Sequence, residues 1–236
     1  MRGDLGMPFF YFDPTIFLVL PGLLLAMWAQ ARVKGSFAKY SRVGSRGGLT
    51  GQEVARRMLQ SEGIYDVAVE VVGGDLTDHY DPRSRVLRLS QGVANSSSLA
   101  AVGVAAHETG HALQHRDGYA PLALRSAAVP AANIGSNLSW PLFLVGLIFS
   151  WEPLIYAGIA LFSLAVLFSL ITLPVEFNAS GRAVAALESG GYLSGDELTG
   201  ARKVLSAAAL TYVAAALTAI LQLVRLLLLS NSRRRD

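Results

Sequence analysis

Residues 154–173 read LIYAGIALFSLAVLFSLITL, a run without one charged side chain. At about 1.5 Å per residue, a helix of this length crosses the roughly 30 Å hydrocarbon core of a bilayer. Working outward, Ser150, Trp151, Glu152 and Pro153 make a turn-sized connection to an apolar run at 127–149, so the two runs read as a transmembrane helical hairpin. Asn133, Ser136, Asn137 and Ser139 soften the first half of that partner, which suits packing between helices or, less simply, the lining of a wet cavity. Two more runs lie further out. One spans 14–31 behind the aromatic cluster Phe9, Phe10, Tyr11 and Phe12, and the other spans 204–229, uncharged until Arg225. About four transmembrane helices are therefore expected. Arg32, Lys34, Lys39, Arg42 and Arg46 follow the first run and place its C-terminal end in the cytoplasm by the positive-inside bias. In a four-span arrangement Arg233, Arg234 and Arg235 fall on the other side, against the same bias. Ala29-Gln30-Ala31 also fits a signal-cleavage pattern, but Asp4 and Asp13 cancel the positive start that export signals carry, so an uncleaved anchor is expected.

Composition agrees. Of 236 residues, 52% are hydrophobic and 16% charged, where soluble domains carry about a quarter charged residues. The absence of cysteine excludes disulfides, thiolate metal sites, iron–sulfur clusters and a cysteine nucleophile, so any metal must be held by His, Asp or Glu. A net charge of +3 is too small a surplus to indicate nucleic acid as a partner.

The polar sequence is concentrated in 32–125, with a shorter stretch at 174–203. Thr50-Gly51-Gln52-Glu53 is a capping box and predicts a helix from Gly51 to about Ser61, ended by Gly63. Residues 67–72 and 86–89 predict two short strands. Ser96, Ser97 and Ser98 offer N-caps for a helix running to about His115 or Arg116, before Gly118 and Pro121.

On that last helix stands His107-Glu108-Thr109-Gly110-His111, an H-E-x-x-H match. At about 3.6 residues per turn, His107 and His111 lie about 40° apart around the axis, so both imidazoles can reach one ion. Glu108, about 100° away, is placed to take a proton from a water beside that ion without becoming a ligand. A zinc site with three protein ligands keeps a fourth position open, so a third ligand is needed. Glu176, in Pro174-Val175-Glu176-Phe177-Asn178-Ala179-Ser180, offers itself: the two spans between His111 and Glu176 return the chain to the side it left. His79, Tyr80, Tyr119 and Arg182 are available to stabilise an oxyanion, and spacing does not choose among them. His115 reads as a solvent-facing helix end. The strand around Leu87 could pair an extended substrate at a sheet edge or serve as core.

These residues resemble the YugP-like neutral zinc metallopeptidases of bacterial membranes. The resemblance rests on the N-terminal span, Leu76-Thr77-Asp78-His79-Tyr80-Asp81-Pro82, Val86-Leu87-Arg88-Leu89-Ser90, Ala105-Ala106-His107-Glu108 onward to Gln114, and Leu173-Pro174-Val175-Glu176-Phe177-Asn178-Ala179-Ser180. It covers nearly the whole chain. It implies a multi-pass protease with His107 and His111 as zinc ligands, Glu108 as catalytic residue and Glu176 as third ligand. More distantly the chain is similar to the HtpX and CAAX-processing proteases, whose downstream pattern is E-x-x-A-D. Ser180 stands here in place of the last Asp, the position that would orient a zinc-bound His; Asn178 or a backbone carbonyl is the substitute on offer.

The expectation is a mainly α membrane protein with a small α+β zincin-like catalytic element inserted between the first and second spans. Its segments are an anchor at 9–31, the catalytic segment at 32–125, a hairpin at 126–175, a loop and helix with the third ligand at 174–203, and a last transmembrane helix at 204–229. Its function would be zinc-dependent endopeptidase, with one zinc ion, on membrane-proximal or unfolded polypeptides at the cytoplasmic face of the cell membrane. A zinc-binding but non-proteolytic scaffold or chaperone is the alternative, and a transporter is disfavoured by the lack of an internal repeat.

Overall fold

The computed structural model describes residues 14–75 and 77–232. The cluster Phe9, Phe10, Tyr11 and Phe12, the acidic pair Asp4 and Asp13, Leu76, and Arg233, Arg234 and Arg235 lie outside the described residues. A 3-10 turn, Pro14–Leu18, leads into α1 (Leu20–Tyr40). There follow α2 (Gly51–Ser61), β1 (Ala68–Val72), β2 (His79–Asp81), β3 (Val86–Ser90), the short α3 (Gln91–Ala94), α4 (Leu99–Arg116), α5 (Ala120–Ile148), α6 (Glu152–Ser189) and α7 (Gly195–Ser232).

Local signals act where they are expected. Thr50 caps α2 by accepting from the Glu53 N–H at 3.3 Å, while the Glu53 carboxylate accepts from the Thr50 N–H at 2.8 Å. Gly63 then turns the chain with φ +71. Ser98 caps α4 by accepting from the Ala101 N–H at 3.2 Å. Fourteen of the eighteen residues of α4 are buried, because its small side chains let neighbours approach closely.

Among the described residues, three helices are long and apolar enough to cross a membrane: α5, α6 and α7. The run 14–31 is not one of them. It is divided between the 3-10 turn and the first half of α1, whose second half carries the basic residues, and it packs along α7. Ala29, Gln30 and Ala31 lie inside this helix, with Ala29 fully buried. The α5–α6 hairpin forms as expected. Its seam is built from Gly135, Ser139 and Gly146, with Gly158 opposite: a β-carbon there would sit 2.8 Å from the Ser139 carbonyl oxygen. Of the four polar residues in the softer half of α5, only Ser139 enters this seam; Asn133, Ser136 and Asn137 face outward.

The largest departure from the expected pattern concerns α6. Pro174 removes one helical N–H, yet the helix runs on to Ser189, so the stretch expected as a loop and helix is two helix ends joined by a short turn at Gly190 and Gly191. Packing explains the continuation. Ala183 and Leu187 of α6, with Leu193 and with Ala201 and Leu205 of α7, share one core with Met58 of α2, Leu87 and Leu89 of β3, and Val102 of α4. The sheet has the order β1-β3-β2, with β1 parallel and β2 antiparallel to β3. β3 is thus the central strand, buried and paired on both sides, so the strand around Leu87 is core, and β1 and β2 are the two edge strands among the described residues.

Candidate metal centre

His107 and His111 sit one turn apart on α4, with ring centroids 4.8 Å apart and planes at 82°. Glu176 enters from α6. Its Oε2 lies 3.2 Å from His107 Nε2 and 3.8 Å from His111 Nε2. Zinc holds such donors at about 2.0–2.2 Å, which puts them roughly 3.3 Å from one another in a tetrahedron. The three ligand atoms, all within 4.8 Å of one another, could therefore hold one metal ion. Burial supports the fit: Glu176 is 1% exposed, and an ionised carboxylate there needs cationic partners.

Two small residues bring the helices together. A β-carbon on Gly110 would meet the Ala179 carbonyl oxygen at 2.4 Å, so α4 and α6 touch backbone to backbone beside the three ligands. Behind the ligands, Gln114 Nε2 donates to the Val175 carbonyl at 2.8 Å and to Asn178 Oδ1 at 3.0 Å. That leaves Gln114 Oε1 as acceptor for His111 Nδ1 at 3.0 Å, which puts the proton on Nδ1 and frees Nε2 as a lone-pair donor. His107 Nδ1 lies 3.1 Å from Ser180 Oγ. A hydroxyl can accept or donate, so Ser180 orients this ring without fixing its tautomer as a carboxylate would. Burial pushes the His111 imidazole down, but the Glu176 carboxylate and the charge of Glu108 outweigh it and hold the group above its usual value.

Glu108 is 9% exposed and lines a cavity of about 270 Å³ with His107, His111 and Glu176, without joining the converging donor atoms. Part of the cavity lining is loop and strand: Asp78, His79, Tyr80 and Pro82. The apolar helices supply another part: Leu122, Arg125, Ser126 and Val129 of α5, Phe168 of α6 and Tyr212 of α7.

Of the four oxyanion candidates, His79 and Tyr80 line this cavity, but the Tyr80 hydroxyl is 2.7 Å from His115 Nδ1, and burial and the Asp81 charge push it up to about 12. His115 is therefore half-buried and bonded instead of facing solvent. Tyr119 donates to the Pro174 carbonyl at 3.4 Å, and Arg182 to Asn178 at 2.8 Å and to Asp117; neither lines the cavity. Arg125 and Tyr212 do line it, and the Arg125 guanidinium forms an ion pair with Glu176 Oε1, with Nη1 at 3.0 Å. Tyr212 carried a signal in the sequence, a polar group within the apolar run 204–229, which in a membrane segment points to an inward partner, whereas Arg125 stood at the end of the polar stretch 32–125 and carried none.

With that geometry in place, comparison assigns a class. Residues 15–231 match the model of the family described as "Putative neutral zinc metallopeptidase", and the chain belongs to this family. It is 52% identical over 214 residues to "Putative membrane protease YugP" of Bacillus subtilis (strain 168), covering 91% of this chain and 95% of that protein. No solved structure matches the chain.

Proposed function

We propose that this protein is a membrane-bound, zinc-dependent endopeptidase that cleaves membrane-proximal or unfolded polypeptides at the cytoplasmic surface of the cell membrane. The observation that carries this reading is the convergence of His107, His111 and Glu176 with Glu108 alongside, in a cavity lined in part by loop and strand and in part by apolar helices. His107, His111 and Glu176 hold the ion. A divalent ion in such a site supplies a Lewis acid that polarises a carbonyl and lowers the pKa of water. Glu108 takes the proton from the attacking water and delivers it to the leaving amine. The edge strand β2 takes an extended substrate backbone, as exposed sheet edges do for peptides. Leu122, Val129 and Phe168 receive apolar side chains of a segment leaving the bilayer.

This reading uses four crossings, with the run 14–31 as the first and α5, the first half of α6 and α7 as the others. Exposed apolar side chains such as Leu24, Met27, Ile148 and Phe149 on these segments support it, and the burial of Ala29 within α1 favours an uncleaved anchor. The zincin-like element then comprises residues 32–125 together with the helix ends around 174–203.

The test is metal analysis and casein cleavage on detergent-purified protein. Glu108→Gln is expected to keep its zinc and lose cleavage, and Glu176→Ala to lose zinc. Cleavage unchanged in Glu108→Gln would refute the mechanism, and zinc binding without cleavage in the wild type would select the scaffold alternative.

A further inference from the structure

The two oxygens of the buried Glu176 carboxylate face different partners. Oε2 points at both imidazoles, while Oε1 forms an ion pair with Arg125 Nη1 at 3.0 Å. The two sides come from different elements, α4 and α5, so the carboxylate is clamped across a gap between helices. An arginine near the end of a membrane helix ordinarily snorkels outward to the headgroups. Arg125 instead turns inward, with its side chain 29% exposed and its guanidinium in the cavity. Carboxylates bind metals through one oxygen or both, and free rotation of the Glu176 side chain would permit either.

We propose that Arg125 is a positioning residue that pins Oε1 of Glu176, so that the carboxylate meets a metal ion through Oε2 alone. This rests on the reading of His107, His111 and Glu176 as the metal site. The consequence is chemical: three single donor atoms leave room for water and a substrate carbonyl, whereas a two-oxygen carboxylate fills it. The fork of the guanidinium suits it to holding one carboxylate oxygen in a fixed direction, which a lysine ammonium does less well.

The experiment uses full-length protein in detergent, loaded with cobalt(II), whose visible absorption is intense in four-coordinate sites and weaker in five-coordinate ones. Wild type is expected to give the intense spectrum, and Arg125→Met the weaker one. Zinc affinity, measured by chelator competition, should fall about 10–100-fold with Arg125→Met, the usual effect of removing a group that orients a ligand. Arg125→Gln provides the same comparison if the methionine variant does not fold, and Arg125→Lys should recover part of both losses. Wild-type spectra and affinities in the Met and Gln variants would overturn the proposal. So would a zinc affinity that rises, since the guanidinium would then act only by repelling the ion. A changed KM with an unmoved spectrum would overturn it as well, by placing Arg125 on the substrate. Wild-type protein that binds no metal would instead overturn the metal-site reading itself.

Discussion

Gly110 on α4 and Ala179 on α6 meet with no side chain between them, at the level where the two helices bring together the donor atoms of His107, His111 and Glu176 that could hold a metal ion. A β-carbon on Gly110 would run into the Ala179 carbonyl, so Gly110→Ala must push the helices apart and carry Glu176 away from the imidazoles. The expected cost is about 1–3 kcal/mol of stability from overpacking, together with weakened zinc binding. Gly103→Ala is the control, because a β-carbon there would find only ordinary contact with Ala201, 3.5 Å away. Alanine is also the better helix former by up to about 1 kcal/mol, so this variant should be neutral or slightly stabilised. Thermal unfolding in detergent and zinc titration of both variants check the pair; equal behaviour would show that the contact at Gly110 does not govern the site.

Gln114 and Ser180 hold the outer nitrogens of the two imidazoles, but by unequal means. Gln114 is itself fixed by two donated hydrogen bonds to α6, so it dictates the proton position on His111. Ser180 makes one bond to His107 and can take either role in it. Gln114→Ala should therefore weaken zinc binding by about 10–100-fold, and Ser180→Ala by clearly less. Chelator competition ranks them, and the reverse order would mean that the orientation of His107 is the one that matters.

Asp117, at the C-terminal end of α4, is bonded to Arg116 and Arg182, and these two guanidiniums hold its carboxyl down at about 2. A folded value below the unfolded one, roughly 3.9, stabilises the fold above that pH, and the contribution fades as pH falls toward 2. Wild type should thus lose melting temperature between pH 5 and pH 3 more steeply than Asp117→Asn. The difference is expected to be small because the group is 36% exposed and solvent screens the pairs. Parallel slopes for the two proteins would remove Asp117 as the cause.

What the sequence disclosed was whatever is decided locally. The caps at Thr50 and Ser98 and the motif on α4 depend on partners three or four residues away, so spacing alone predicts them. Glu176 was reachable because the two apolar runs between it and His111, if both cross, return the chain to the side it left. The missing parts depend on distant partners. The three-residue β2 exists because β3 pairs with it, and α6 continues through Pro174 because Leu187 has a core to enter. Arg125 faces Glu176 only once α5 and α6 have folded back on each other. Ser180 shows the limit: the sequence offered Asn178 or a backbone carbonyl to orient an imidazole, but Asn178 Oδ1 is taken by Gln114 and Arg182, and Ser180 itself lies next to His107 while Gln114 serves the other imidazole.

The orientation of the site depends on charge bias and is open to direct measurement. The chain contains no cysteine, so a single introduced thiol reports its own position without background. Arg56 is exposed on α2, outside every apolar segment, and Ser150 is exposed at the tip of the α5–α6 hairpin. With the basic stretch after residue 31 held in the cytoplasm, these positions fall on opposite sides of the bilayer. A membrane-impermeant maleimide should label Ser150→Cys but not Arg56→Cys in intact spheroplasts, and Arg56→Cys but not Ser150→Cys in inverted vesicles. Labelling of both from one side would mean that α5 and α6 do not cross. The opposite pattern would move the metal site to the outer face while leaving its chemistry untouched, because the donors on α4 and α6 depend on each other and not on which leaflet they stand beside.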